Sequence, residues 1–249
     1  MNKLIIFDLD GTLAESKQPL TKEMALLLAK LLTVTNVAVI SGGALPQFLT
    51  QIVAQLPPSA KMAHLFLLPT SGAALYEYQQ GELKKIYEER LSEKEAAHIE
   101  TVMRVAGTET GYIDFSKPGY GKRIEYRGSQ VTLSALGQLA PLKEKKAWDP
   151  THIKRDTLRA YLAERLPEFS VTVGGTTSID VTKHAIDKAY GVRKLSERLG
   201  IPESEALYVG DELREGGNDA AVYKTNVQTK SVTSPFDTAT LIQTLLTSA

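Results

Sequence analysis

Leu4-Ile5-Ile6-Phe7-Asp8-Leu9-Asp10-Gly11-Thr12 is the stretch whose reading decides the fold. The apolar run, rich in β-branched residues, reads as a buried strand, and Asp-Leu-Asp-Gly ends it in a tight turn. In an open α/β sheet, ligands collect beyond the carboxyl ends of the strands. The strand therefore delivers two carboxylates, Asp8 and Asp10, to the edge where chemistry is done. Asp and Gly are also ordinary turn residues, so the rest of the chain has to supply the catalytic context.

Working outward, Thr21 to Leu32 carries apolar residues at helical spacing with Thr21 as N-cap, and Asn36 to Ile40 is a second apolar strand. It runs into Ser41-Gly42-Gly43 and a helix from about Leu45 to Gln55. A hydroxyl followed by flexible backbone suits phosphate oxygens, through Ser41 and the N–H groups at Gly42, although a plain glycine turn reads the same. Leu65 to Leu68 is a third strand, and Ser71 to Glu82 alternates as a hairpin. Strand, helix, strand, helix, strand is the order of a doubly wound, Rossmann-like parallel sheet.

The pattern changes near Glu82. Ser92 caps a charged amphipathic helix to Val105 with Glu95 closing a capping box. Lys122 to Arg127 and Gln130 to Ser134 alternate as strands around Gly128-Ser129, and a helix over about Thr151 to Arg165 precedes Ser170 to Val173 and Thr177 to Val181. Hairpins with helices between them predict an inserted α+β domain at residues 83–183, flanked by a core domain at 1–82 and 184–249. The first pattern then resumes: a helix from Lys188 to about Leu199, a strand at Ala206 to Val209 ending in Gly210-Asp211, a weaker strand signal at Ala220 to Tyr223 and Val227, and a helix at Asp237 to Leu246.

The 249 residues suffice for one large or two smaller domains. Lys plus Arg and Asp plus Glu are each 29, a balance that gives no reason to expect nucleic acid or an anionic membrane as partner. Without cysteine, disulfides, thiolate metal sites and thiol nucleophiles are excluded. The N-terminal apolar run is cut by Asp8, too short for a signal-peptide core, and no segment is long and apolar enough to span a bilayer, so a cytoplasmic protein is expected.

Asp8 with Asp10, Ser41, and Asp211 with Asn218 and Asp219 lie at or just beyond strand ends, and Lys188 opens a helix. Together they hold the parts for attack on a phosphate monoester. Asp8 would be the nucleophile, and Asp10 would protonate the leaving oxygen and then activate water. A carboxylate and a phosphate repel, so cations are needed: Mg²⁺ on Asp8, the Asp10 carbonyl and Asp211, with Asn218 and Asp219 completing or orienting the shell, and the Lys188 ammonium. Zinc is disfavoured because His64, His98, His152 and His184 are scattered without ligand spacing.

The ordered series Asp8-x-Asp10-Gly-Thr, Ser41, Lys188, and Gly210-Asp211 with Gly216-Gly217-Asn218-Asp219 resembles the four motifs of the haloacid dehalogenase superfamily. The insertion resembles the α/β cap of its Cof-like, sugar-phosphatase and phosphomannomutase branch. Within it, Arg123-Ile124-Glu125-Tyr126-Arg127, Leu133-Ser134-Ala135-Leu136-Gly137, and Gly174 to Val181 leading to Asp187-Lys188 look most like eukaryotic-type phosphomannomutases. That likeness implies a cap that grips a distal sugar phosphate with arginines and reads hydroxyls with a Ser and an Asp, for which Arg127, Ser178 and Asp180 stand at matching positions. It also implies pairing of two copies through the cap.

The departures point toward hydrolysis. Gln138 stands where the mutases carry a phosphate-binding arginine, Tyr120 where they carry another, and Ser41 restores a hydroxyl where they tend to have glycine. Two anion sites of similar strength serve a mutase, and neutral Gln138 weakens one, unless Arg123 or Lys122 substitutes. The sequence thus leads to an expected Mg²⁺-dependent phosphatase of a small phosphorylated metabolite, a sugar phosphate above all. A phosphomannomutase of the same architecture is the alternative, and a non-catalytic sugar-phosphate binder is the rival of another class.

Overall fold

A computed structural model describes residues 2–247, and contacts divide the chain into two compact units. The first runs through Glu88 and resumes at Lys188–Glu215 and Asp219 onward; the second is Glu89–Asp187 with Gly216–Asn218.

Among the described residues the first unit holds a seven-stranded sheet of order β11-β10-β1-β2-β3-β4-β5. Its strands are β1 (Leu4–Asp8), β2 (Asn36–Ile40), β3 (Leu65–Leu68), β4 (Ala74–Gln79), β5 (Glu82–Glu88), β10 (Ala206–Gly210) and β11 (Gln228–Ser231). From β11 to β3 all neighbours are parallel, and β4 and β5 add an antiparallel edge. The central strands are apolar on both faces because helices cover both. Ile5, Phe7, Val37 and Val39 pack with Leu28 and Leu31 of α1 (Lys22–Leu31) and with Phe48 of α2 (Leu45–Gln51), together with Ile242 of α7 (Pro235–Thr247). Leu4, Ile6, Ala38 and Ile40 pack on the other side with Val192 and Leu195 of α6 (Lys188–Leu199). Gly191 is what lets α6 come this close: a Cβ there would lie 2.8 Å from the Gly72 Cα.

The second unit is a four-stranded antiparallel sheet of order β6-β7-β9-β8, from β6 (Ile124–Tyr126), β7 (Gln130–Ser134), β8 (Phe169–Val173) and β9 (Ser178–Lys183). Strand alternation sorts its faces. Val131, Leu133, Ile179 and Val181 pack against Ile99 and Met103 of α3 (Glu93–Glu109) and Leu158 and Leu162 of α5 (Ile153–Arg165). The intervening Gln130, Thr132, Ser134, Ser178, Asp180 and Thr182 share the opposite face.

Two expectations need correction, and one element was not anticipated. Residues 83–88 do not open the insertion: they are β5, which pairs with β4 from Gln79↔Glu82 to Ala74↔Glu88 and so completes the large sheet. Ala220–Lys224 is a 3-10 helix rather than a strand. Its chain turns at once because the Val222 N–H bonds back to the Asp219 carbonyl, and the outer strand is instead β11, exposed at every residue. Finally, α4 (Leu142–Trp148) forms from a Lys-Glu-Lys-Lys run that carries no apolar periodicity. Among the described residues no helix is long and apolar enough to cross a membrane.

Candidate active site

Register explains why distant residues meet. Asp8 pairs with Ile40 in β2, and Phe7 with Val209 in β10. Ser41 and Asp211 therefore follow the strand neighbours of Asp8 at the same carboxyl edge. Beyond β1 the chain reverses, with the Leu9 carbonyl accepting from Leu13 N at 2.9 Å and Ala14 N at 3.0 Å. Gly11 has φ +97°, and a Cβ on it would run into the Asp211 carboxylate, so only glycine lets the turn lie against that acid.

The centre is built on Lys188, the first residue of α6. Its buried Nζ donates to Asp8 Oδ1 at 2.5 Å and to Asp219 Oδ1 at 2.6 Å. Asp219, at 0 % exposure, also accepts from the Tyr208 hydroxyl at 2.5 Å on Oδ1 and from Glu212 N at 2.9 Å on Oδ2. Both its oxygens are thus occupied, which makes Asp219 the group that orients Lys188. Asp211 accepts from the Thr12 hydroxyl at 3.1 Å on Oδ1. Asp8 Oδ2 and Asp211 Oδ2 accept no hydrogen bond from any described residue.

Three carboxylates share one ammonium, and the charge balance shows in their acidities. Burial pushes the Asp8 carboxyl well above its ordinary range, the Lys188 charge opposes this, and Asp219 and Asp211 add to the rise. Burial and the Asp219 charge lift Asp211 from 3.8 to about 6. Burial alone would lower Lys188, but Asp219 and Asp8 outweigh it and hold the amine as a cation above its ordinary value. The cluster is short of positive charge.

Carboxylate oxygens of Asp8, Asp211 and Asp219 lie within 4.8 Å of one another. An all-oxygen donor set with surplus negative charge suits a hard divalent cation such as Mg²⁺. Asp8 and Asp211, each with an oxygen to spare, are the residues to hold it.

The linkage has a definite sign. A carboxyl lifted from 3.8 to about 6 gives the metal-free fold a stabilisation that is complete below the lower value and lost as pH rises through the upper one, up to about 3 kcal/mol. A cation needs the ionised form. Saturating Mg²⁺ should therefore raise the melting temperature at about pH 7 far more than at about pH 5. Thermal shifts of equal size at the two pH values would refute this assignment.

The other expected residues have partners of their own. Asp10 has both carboxylate oxygens engaged, Oδ1 accepting from Lys17 N at 2.8 Å and Oδ2 from the Gln47 amide at 3.3 Å. The Ser41 hydroxyl accepts from Gly43 N at 3.3 Å, and Gly42 lies in the same loop. That loop is pinned to the turn after β3, where the Ser41 carbonyl accepts from Ser71 N at 2.8 Å and the Gly43 carbonyl from Thr70 N at 2.9 Å. Asn218 belongs to Gly216–Asn218, a segment of the second unit.

Within the second unit, Thr132 Oγ1 donates to Asp180 Oδ1 at 2.7 Å, Ser134 and Ser178 hydroxyls meet at 3.0 Å, and the Gln138 amide donates to Ser134 Oγ at 2.9 Å. Arg127 pairs with Glu125 at 2.7 Å. Arg123 donates to the carbonyls of Asp114, Lys117 and Pro118 at 2.6, 3.1 and 3.4 Å, so its guanidinium holds a loop together.

Sequence reasoning missed Tyr208, Gln47, Thr12 and Lys145. Tyr208 reads as one more core aromatic in a strand. Gln47 reads as a helix surface residue, and a Cβ on Gly43 would lie 2.5 Å from its amide oxygen. Lys145 is 5 % exposed, with Nζ 3.4 Å from the Gln138 carbonyl. Thr12 stood in the quoted motif and needed only a partner.

The sequence profile described as "Eukaryotic phosphomannomutase" matches residues 24–248. A phosphomannomutase of Dendrobium officinale is 29% identical over 246 residues, covering 95% of this chain and 91% of its own. Phosphomannomutase 1 of Dictyostelium discoideum is 28% identical, with coverages of 98% and 96%. Among solved structures, a haloacid dehalogenase-like hydrolase from Bacteroides thetaiotaomicron superposes with a TM-score of 0.63 at 17% identity, covering 98% and 100%. A mutant of the Plasmodium falciparum IMP-nucleotidase gives 0.71 at 14% identity, covering 99% and 67%. The structural likenesses show the fold.

Proposed function

Because the chain belongs to the eukaryotic phosphomannomutase family of the haloacid dehalogenase superfamily, we propose that it moves a phosphoryl group between the 1- and 6-oxygens of a hexose phosphate, mannose phosphate first, by way of Asp8. This takes the alternative read from the sequence over the expected phosphatase. The observation that carries the chemistry is the Lys188 ammonium bridging Asp8 and Asp219 at the carboxyl edge of β1. The choice of mutase over phosphatase rests on relatives similar over nearly the whole chain.

In this reading Asp8 attacks phosphorus, the bond from phosphorus to the sugar oxygen breaks, and Asp10 gives that oxygen its proton. The Asp8 acyl phosphate is then attacked by the free hydroxyl of a hexose monophosphate, whose own phosphate is the distal one and whose proton goes to Asp10; the 1,6-bisphosphate so formed gives either of its phosphates back to Asp8. Both Asp10 oxygens already accept hydrogen bonds, so the carboxylate is oriented before substrate arrives. Lys188 spreads its charge over Asp8 and the phosphoryl oxygens, and Asp219 keeps it aimed. A bound Mg²⁺ supplies the charge that lets a carboxylate approach a phosphate. Arg127, Ser178 and Asp180 of the second unit are assigned to the sugar and its distal phosphate. The buried Lys145 beside Gln138 supports this reading, since a cation stands close to the residue that lacks the mutase arginine.

Hydrolysis is the second reading, favoured by the engagement of Arg123 with backbone carbonyls and by the neutral Gln138. Phosphorus NMR of mannose 1-phosphate with catalytic hexose 1,6-bisphosphate and Mg²⁺ separates the two. The expected result is conversion to the 6-phosphate with little inorganic phosphate. Inorganic phosphate without isomerisation would overturn the mutase reading in favour of hydrolysis.

A further inference from the structure

Tyr208 is a phenol where packing asks only for a ring. It is fully buried in β10 among Leu4, Ile6 and Val222, a setting that phenylalanine would fill equally well. A buried hydroxyl without a partner is costly, and this one donates to Asp219 Oδ1 at 2.5 Å. That is the same oxygen that receives Lys188 Nζ at 2.6 Å, and Lys188 in turn reaches Asp8 Oδ1 at 2.5 Å. Gly210 makes room for the arrangement, since a Cβ there would strike the Asp219 carboxylate and come within 3.0 Å of the Tyr208 ring.

Two donors on one carboxylate oxygen divide its charge. Asp219 must hold Lys188 in place yet not keep it, because the same ammonium has to follow negative charge onto the phosphoryl group as it forms on Asp8. A neutral donor on Asp219 weakens the pull on the lysine without adding a second positive charge, and the Glu212 N–H on Oδ2 prevents the carboxylate from turning away. We propose that Tyr208 is a positioning residue: its hydroxyl fixes Asp219 and loosens that acid's hold on Lys188, leaving the ammonium free to serve the phosphorylated form of Asp8. This rests on the reading of Asp8 as the phosphoryl acceptor.

The test uses the Mg²⁺-loaded protein and beryllium fluoride, which mimics a phosphoryl group on a carboxylate whatever the sugar substrate, with fluorine NMR reporting the adduct. Tyr208→Phe should weaken adduct formation by about tenfold, the scale of one hydrogen bond to a charged group. It should lower kcat by about as much with KM changed less than about twofold. Adduct affinity equal to wild type, with only the melting temperature lowered, would show a merely structural hydroxyl and overturn the inference. In the unsubstituted protein the Tyr208 hydroxyl proton should shift when the adduct forms; a stationary signal overturns the inference even if the variant does not fold. Asp8→Asn should give no adduct. Failure of wild type to form one would overturn the Asp8 reading itself and this inference with it.

Discussion

Asp8→Asn is expected to reduce turnover by about 10⁴-fold or more, the scale seen when a covalent nucleophile is removed, while the metal-free protein keeps or gains stability. The two halves of that result have one cause. Burial pushes the Asp8 carboxyl well above its ordinary range, so at neutral pH the folded chain carries an acid that would be more comfortable neutral. Asparagine has nearly the same shape, removes one of three negative charges, and still presents an oxygen to Lys188. Loss of activity with an unchanged or higher melting temperature therefore marks a residue kept for chemistry at a cost to the fold. Thermal denaturation beside a phosphoryl-transfer assay measures both. A variant that retains even a hundredth of the turnover would remove Asp8 from the mechanism.

Lys188→Met has the second largest expected effect, and here activity and stability fall together. Removing the ammonium leaves Asp8 and Asp219, both nearly inaccessible, without their cation. Breaking a buried ion pair by deleting one partner costs about 3–5 kcal/mol, and turnover should drop by about 10³-fold or more as charge on the phosphoryl group loses its counterion. The pH dependence separates this from a packing defect. In the wild type the Lys188 amine is held above its ordinary 10.5, so its stabilisation is intact below that value and is lost only as pH rises beyond it. In the variant Asp8 and Asp211 accept protons more readily still, so stability should recover as pH falls toward about 5. A deficit that does not change with pH would argue for lost packing instead.

How far the sequence could be read depended on where the physical signal lay. Strands buried on both faces declare themselves: Leu4–Asp8, Asn36–Ile40, Leu65–Leu68 and Ala206–Gly210 are apolar runs closed by turn residues. Because these strands are parallel and in register, their ends converge, and motif order sufficed to bring Asp8, Lys188, Asp211 and Asp219 together. Elements stabilised by something other than apolar periodicity were missed. Strand β11 is Gln-Thr-Lys-Ser, added by backbone hydrogen bonds along β10 with every side chain exposed. Helix α4 offers four charged or polar residues in a row. Side chains whose role depends on one partner outside their own element, Tyr208 on Asp219 and Gln47 on Asp10, have no local pattern at all.

The pairing of β1 with β10 joins Leu4 to Ala206, and it sets a schedule for biosynthesis. As the chain leaves the ribosome, β1 can acquire β2 within about forty residues, but its other flank has no mate until some two hundred have been made, and late non-local closure of this kind slows folding. Through that interval one of the most apolar segments of the protein is a naked border open to aggregation. Asp8 lies at the end of that border, so the edge it shares with Asp211 is assembled only once β10 is in place.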